Sequence, residues 1–289
     1  MSTTPTAKAT RVATLLACSL ASFMVGLDAL VVTTVLPNIR HDFSAGIDNL
    51  SWVVNAYALA FAVSILAGSM LGDHFGRRRM LTVGVALFAV ASALCALAPT
   101  LGVLVAARAV QGAAGGVRVP LALAIVTATT PAERRGKVIG IWGAITGIAV
   151  AIGPLVAQGL AWQWVFWLNL PVAALILVLA RRMPADAPQP GRADLIGLAL
   201  ATLGIALVTH ALVRVAPASL SDASLWAKLA GGLVLLVGFA RWERRAIAPL
   251  VPPALFRHGG FLAACIAMAA LGAACSEPRT CSPNTFRPQ

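Results

Sequence analysis

The chain has 289 residues, of which 59% are hydrophobic and only 11% charged, and its mean hydropathy is +0.86. Soluble domains carry about a quarter charged residues, so this composition excludes an ordinary globular domain and points to a polytopic membrane protein. The net charge of +12 does not indicate a nucleic-acid partner, because the basic residues lie in short gaps between apolar runs and form no basic face with interleaved aromatics.

Eight apolar runs predict an all-α chain of membrane-spanning helices at residues 12–36, 51–72, 80–97, 101–127, 138–160, 164–180, 195–213 and 225–240. Each is near the ~20 residues a helix needs to cross hydrocarbon. The first is too long for the apolar core of a cleavable signal peptide and leads straight into the second. Its one charge is Asp28. A charge at mid-bilayer costs roughly 2.5–3.5 kcal/mol on insertion scales, so it normally lines a water-filled path or a binding cavity. Asp28 is therefore the candidate group for taking up and releasing a proton; the alternative is a carboxylate permanently paired with Arg108 of the fourth run.

Between the second and third runs lies Ser69-Met70-Leu71-Gly72-Asp73-His74-Phe75-Gly76-Arg77-Arg78-Arg79. Gly76 permits a tight reversal, and Asp73 is placed to cap the next helix or pair with a neighbouring base. Two readings stand: an ion pair remade as helices rock, or three arginines that hold the loop on one side of the membrane.

The fourth run carries Arg108 with no counter-charge. Arg108, Gln111, Gly112 and Gly115 recur at i, i+3, i+4 and i+7 and so share a helix face. The glycines let a neighbour or solvent come close to the guanidinium. The alternative is a structural Arg108 that bonds carbonyls of adjacent helices. Arg118, ten residues on, points to a different face, and unpaired it would be destabilising. In the fifth run Gly140, Gly143, Gly147 and Pro154 form a stripe of the kind that lets membrane helices pack closely.

The sixth run is followed by a Pro-rich linker, residues 183–194. Two more runs, a polar segment at 241–260 and an apolar stretch at 261–274 complete the pattern. That last stretch is too short to cross, and residues 275–289 are neither apolar nor amphipathic. The expectation is an incomplete ninth span with an aberrant tail, residues 261–289, in a chain cut short; a natural C-terminal tail is the alternative. Most of the 22 Lys and Arg fall on one side of the predicted topology, among them Arg77, Arg134, Arg181 and Arg241. This places the N-terminus, residues 1–11, in the cytoplasm. Cys18, Cys95, Cys265, Cys275 and Cys281 form no CxxC pair and have no histidine partner, so no metal or cofactor is expected.

The segment 69–79 resembles motif A of the major facilitator superfamily, and the resemblance extends from about residue 12 to 270. Leu27-Asp28-Ala29-Leu30-Val31-Val32-Thr33-Thr34-Val35-Leu36-Pro37 is similar to the first-span signature of the fourteen-span drug:proton antiporter branch, the EmrB/QacA type. Arg108-Ala109-Val110-Gln111-Gly112 with Gly115-Gly116 resembles motif B. Gly143, Gly147, Gly153 and Pro154 resemble motif C. Trp162-Gln163-Trp164-Val165-Phe166-Trp167-Leu168-Asn169-Leu170-Pro171 is similar to the start of the sixth span in that branch, and Trp242-Glu243-Arg244-Arg245 with Leu255-Phe256-Arg257 to the segment before its ninth.

The resemblance implies that residues 12–182 are the N-terminal six-helix half, built as two three-helix repeats, with two additional helices in 195–240. It implies an inner-membrane antiporter that exchanges amphipathic small molecules for protons. Asp28 and Arg108 would serve coupling, Asp73, Gly76 and Arg77 a cytoplasmic gate, and the Gly143, Gly147, Gly153 and Pro154 stripe a seam against leakage. Departures are Ser69 for a glycine, His74 for an arginine, Leu155-Val156-Ala157-Gln158 where paired glycines are usual, and Arg118 where the family prefers a small or apolar residue. A competing reading is a truncated, transport-inactive remnant. A membrane enzyme is the weakest reading, since no nucleophile is paired with a base and His41, His74, His210 and His258 are scattered singly.

Overall fold

The computed structural model describes residues 5–157, 161–184, 194–215, 223–246, 250 and 259–276. All regular structure among them is helical: α1 Pro5–Phe43, α2 Ile47–Phe75, α3 Arg77–Ala96, α4 Leu101–Ala128, α5 Ala132–Ala157, α6 Trp162–Trp167, α7 Asn169–Ala180, α8 Leu195–Val215, α9 Ala223–Glu243 and α10 Gly259–Ser276. Among the described residues, eight segments are long and apolar enough to cross a membrane, one at each of the eight predicted runs.

Local chemistry sets the boundaries. Gly76, at φ 93°, takes a left-handed conformation that turns α2 into α3. Thr100 starts α4, its hydroxyl accepting from the Val103 amide at 3.4 Å. Asp194 caps α8 in the same way, accepting from the Gly197 amide at 2.8 Å. The predicted sixth span is two helices in near continuity, interrupted at Leu168. Pro171 explains the break, because it has no N–H to offer the carbonyl four residues earlier. The apolar stretch 261–274 lies within an 18-residue helix, α10, so the polar flanks add two residues at either end. The expected tail after residue 276, and the end of the fifth run at 158–160, lie outside the described residues.

The first seven helices form a bundle around α4, which packs on α1, α2 and α3. α1 also packs on α5 and α7, α3 on α6 and α7, and α8 pairs with α9 and lies against α2. The interior consists of two apolar clusters stacked along the bundle. One is built on Met24, Leu81, Val85, Phe88, Ala114 and Ile176. The other is built on Val31, Val35, Cys95, Leu104, Val165 and Phe166. Along α1, Asp28 falls between Met24 and Val31. Ser92 on α3, Arg108 and Gln111 on α4, and Asn169 at the start of α7 fall at the same junction. The outward surface is apolar, with Val83, Leu87, Val90 and Leu94 exposed along α3, as a lipid-facing helix requires.

Candidate functional site

The junction between the two clusters is a closed polar layer. Asp28, Ser92 and Gln111 are wholly buried, and Arg108 and Asn169 nearly so. The Arg108 guanidinium donates through Nη1 to Asp28 Oδ2, joining α4 to α1. The same nitrogen reaches Gln111 Oε1 at 2.6 Å, and Arg108 Nε donates to the Val53 carbonyl of α2 at 3.1 Å. Gln111 Nε2 donates to Asp28 Oδ1 at 3.0 Å and to Ser92 Oγ at 2.8 Å. Asn169 Nδ2 completes the layer with Asp28 Oδ1 at 3.4 Å and Ser92 Oγ at 3.3 Å. The Tyr57 ring covers the guanidinium, 4.2 Å from its central carbon. A buried ion pair is tolerable only when further hydrogen bonds meet its remaining donors and acceptors; here Gln111 and Asn169 donate to Asp28 Oδ1 while Arg108 holds Oδ2.

The approach of α2 to Arg108 depends on small residues. A Cβ on Gly112 would run into the Tyr57 carbonyl, one on Gly116 into the Phe61 carbonyl, and one on Gly68 would lie 2.5 Å from the Val117 backbone. Gly112 and Gly116 thus form a G-x-x-x-G contact that brings the α2 backbone against α4. This is the closest helix seam around the polar layer. The α5 stripe behaves differently. A Cβ at Gly140, Gly143 or Gly147 would meet nothing within 4 Å among the described residues, while Gly153 packs against Val31 and the Leu27 carbonyl of α1. Pro154 continues α5, and its side chain lies outside the described set.

At the Gly76 turn, Arg77 donates to Asp73 Oδ1 through Nε at 3.0 Å and Nη2 at 2.8 Å, with both side chains partly exposed. Arg78 reaches the far end of α7, donating to the Met183 carbonyl at 2.7 Å and the Arg181 carbonyl at 3.2 Å. At the opposite end of the bundle, Trp162 Nε1 donates to Asp42 at 2.7 Å and ties α6 to the end of α1.

The structure therefore brings Asp28 and Arg108 together, and Asp73 with Arg77 beside Gly76, but among the described residues it packs nothing against a Cβ at three of the α5 glycines. Sequence reasoning passed over Ser92 and Asn169 as site residues. Their signal was modest: a hydroxyl and an amide inside apolar runs. Tyr57 also joins the site, through its ring over Arg108. No group of three or more His, Cys, Asp or Glu that could hold a metal occurs among the described residues.

Residues 18–276 match the family model described as Major Facilitator Superfamily. The chain is 36% identical over 245 residues to an uncharacterized MFS-type transporter of Mycobacterium tuberculosis, covering 83% of this chain and 42% of that protein. It is 38% identical over 255 residues to the puromycin resistance protein pur8 of Streptomyces alboniger, covering 84% and 50%. It is 34% identical over 251 residues to the tetracenomycin C resistance and export protein of Streptomyces glaucescens, covering 84% and 47%. The chain spans about half the length of these curated relatives. Among solved structures, the POT family transporter PepTSo superposes with a TM-score of 0.54 at 15% identity, over 82% of this chain and 52% of that one. A bacterial homolog of the human lysosomal transporter Spinster, inward-facing and unoccupied, gives 0.50 at 19% identity, over 84% and 62%. At these identities the likeness is one of fold.

Proposed function

The chain belongs to the major facilitator superfamily, and on that premise we propose that it supplies the N-terminal half of a proton-coupled efflux carrier for amphipathic small molecules, of the fourteen-span drug:proton antiporter branch. The relatives named for resistance to puromycin and for resistance to and export of tetracenomycin C support export. The positive-inside bias supports a cytoplasmic N-terminus in the cell membrane.

The observation that carries the reading is the Asp28–Arg108 pair inside the polar layer. Among the described residues, Asp28 is the one buried acid within that layer. A proton on Asp28 cancels its charge and removes the ionic bond to Arg108. The guanidinium then keeps the Val53 carbonyl and Gln111 as partners, and α1 loses its strongest tie to α4. Proton and substrate competing for this one carboxylate are sufficient for exchange. Asp73 and Arg77 act as a latch at the cytoplasmic end, an exposed pair that is cheap to break and remake. Alternating access closes two halves around a site near the bilayer midplane. Gly140, Gly143 and Gly147 are the positions at which α5 would meet that second surface.

A second reading has one observation in its favour. Both Asp28 oxygens already have partners, as expected of a permanent strut rather than a proton carrier. Proton-driven dye uptake into everted membrane vesicles separates the two. The coupling reading expects Asp28→Asn to lose proton-driven uptake while still reaching the membrane in folded form. Undiminished coupled uptake by that variant removes Asp28 from the mechanism and leaves the strut.

A further inference from the structure

Arg118 lies ten residues beyond Arg108 on α4, about 15 Å along the helix axis, and is as deeply buried as any residue in the molecule. It sits within the Met24, Tyr57 and Phe88 cluster rather than in the polar layer. Its Nη1 faces only the Met24 thioether at 3.7 Å, a weak acceptor. Its guanidinium lies flat over Phe88, with the central carbon 3.8 Å from the ring centroid. Nε and Nη2 have no hydrogen-bond partner among the described residues. These are the two nitrogens that Arg77 uses side-on against the Asp73 carboxylate. Arg118 thus keeps open the edge that arginine uses to grip a carboxylate with two parallel bonds.

A second open donor lies within one helical turn. The Tyr57 hydroxyl is buried and has no partner among the described residues. A Cβ on Gly115, three residues before Arg118, would come within 3.3 Å of it. The charge balance points the same way. Asp28 neutralises Arg108, and within the buried bundle around α4 the positive charge of Arg118 is left over. A guanidinium with two open nitrogens and a hydroxyl with no acceptor among the described residues complement an acceptor-rich anion. The cover over the guanidinium is side chain rather than backbone, with flexible Met24 against Nη1 and the Phe88 ring on its face.

We infer that Arg118, with the Tyr57 hydroxyl, binds the carboxylate of an acidic amphipathic substrate, taken up when the bundle opens. This rests on the efflux reading and narrows its substrate class. The apolar wall of Met24 and Phe88 would hold the substrate's hydrocarbon part, and the open guanidinium edge its acid.

The test is equilibrium binding to the purified full chain in detergent, followed by quenching of tryptophan fluorescence. The probes are 1-pyrenebutyrate, its uncharged methyl ester and cationic ethidium. The wild-type protein is expected to bind the acid at least about tenfold more tightly than the ester, the ratio that charge-assisted hydrogen bonds provide. Arg118→Leu, which removes an unpaired buried charge, should bring the acid to the level of the ester. Should that variant not fold, Arg118→Lys serves: it keeps the charge, loses the fork, and should lower the acid preference. Equal binding of acid and ester by the wild-type protein, or an acid preference that either substitution leaves undiminished, overturns the inference. If ester and ethidium bind but the acid is not preferred, the inference alone fails and the efflux reading stands. If no probe of any charge binds, both fall.

Discussion

Arg108 and Asp28 are 80 residues apart in sequence and form one buried ion pair, closed by Gln111, Asn169 and the Val53 carbonyl. Removing one partner leaves the other charged and uncompensated in the bundle interior, so Arg108→Gln should lower stability by about 3–5 kcal/mol. Replacing both, as Asp28→Asn with Arg108→Gln, should cost much less than the single arginine change. Thermal unfolding of the parent, Asp28→Asn, Arg108→Gln and the double variant in one detergent measures the coupling. Additive losses would mean that the two side chains do not act on each other.

The α2–α4 seam gives a contrast between two glycines. Gly112→Ala directs a methyl at the Tyr57 carbonyl and requires the two backbones to separate, whereas Gly143→Ala points into space free of described residues. Overpacking of this kind costs about 1–3 kcal/mol. Gly112→Ala should therefore melt several degrees lower, while Gly143→Ala should melt like the parent. If Gly143 lies in a seam with a second surface, as proposed, its alanine variant should instead lose transport in vesicles. Equal melting temperatures for the two variants would contradict the packing described for α4.

The Gly76 turn and the Asp73–Arg77 pair should separate stability from gating. Gly76→Ala forces a Cβ onto a backbone at φ 93°, at a cost of about 1 kcal/mol. Asp73→Asn removes a partly exposed i,i+4 pair, which contributes only about 0.3–0.5 kcal/mol. Melting curves should therefore register the first change and barely the second. A strong loss of dye uptake in Asp73→Asn at unchanged stability would identify the pair as part of the transport cycle.

Arg78 fastens the start of α3 to the end of α7 by donating to two carbonyls that the helix end leaves free. Arg78→Ala should lower stability by about 1–3 kcal/mol. Arg79 has an ordinary helix-terminal position without such bonds among those described, and Arg79→Ala should be near neutral. Amide hydrogen exchange at residues 177–183 reads this directly. Exchange there should rise in the Arg78 variant and stay unchanged in the Arg79 variant.

Several features were legible before any fold was known. A hydrocarbon interior requires long unbroken apolar runs, so the positions of the eight spanning helices follow from composition alone. It also makes stray charges conspicuous, which is why Asp28, Arg108 and Arg118 stand out. The Gly76 turn was legible because a reversal between two helices leaves few residue choices. Sequence spacing also placed Arg108, Gln111 and Gly112 on one face of one helix.

Spacing within one helix says nothing about which other helix that face meets. Only the packed bundle decided that Arg108 meets Asp28 rather than bonding carbonyls alone, that Ser92 and Asn169 join the layer, and that the close glycine contact is between α2 and α4. It alone separated the two arginines of α4, giving Arg108 a carboxylate and leaving Arg118 an open edge. The reason is physical. Helix formation is satisfied within each segment by its own backbone bonds, whereas pairing depends on the rotation and depth of several helices at once, which no single stretch of chain encodes.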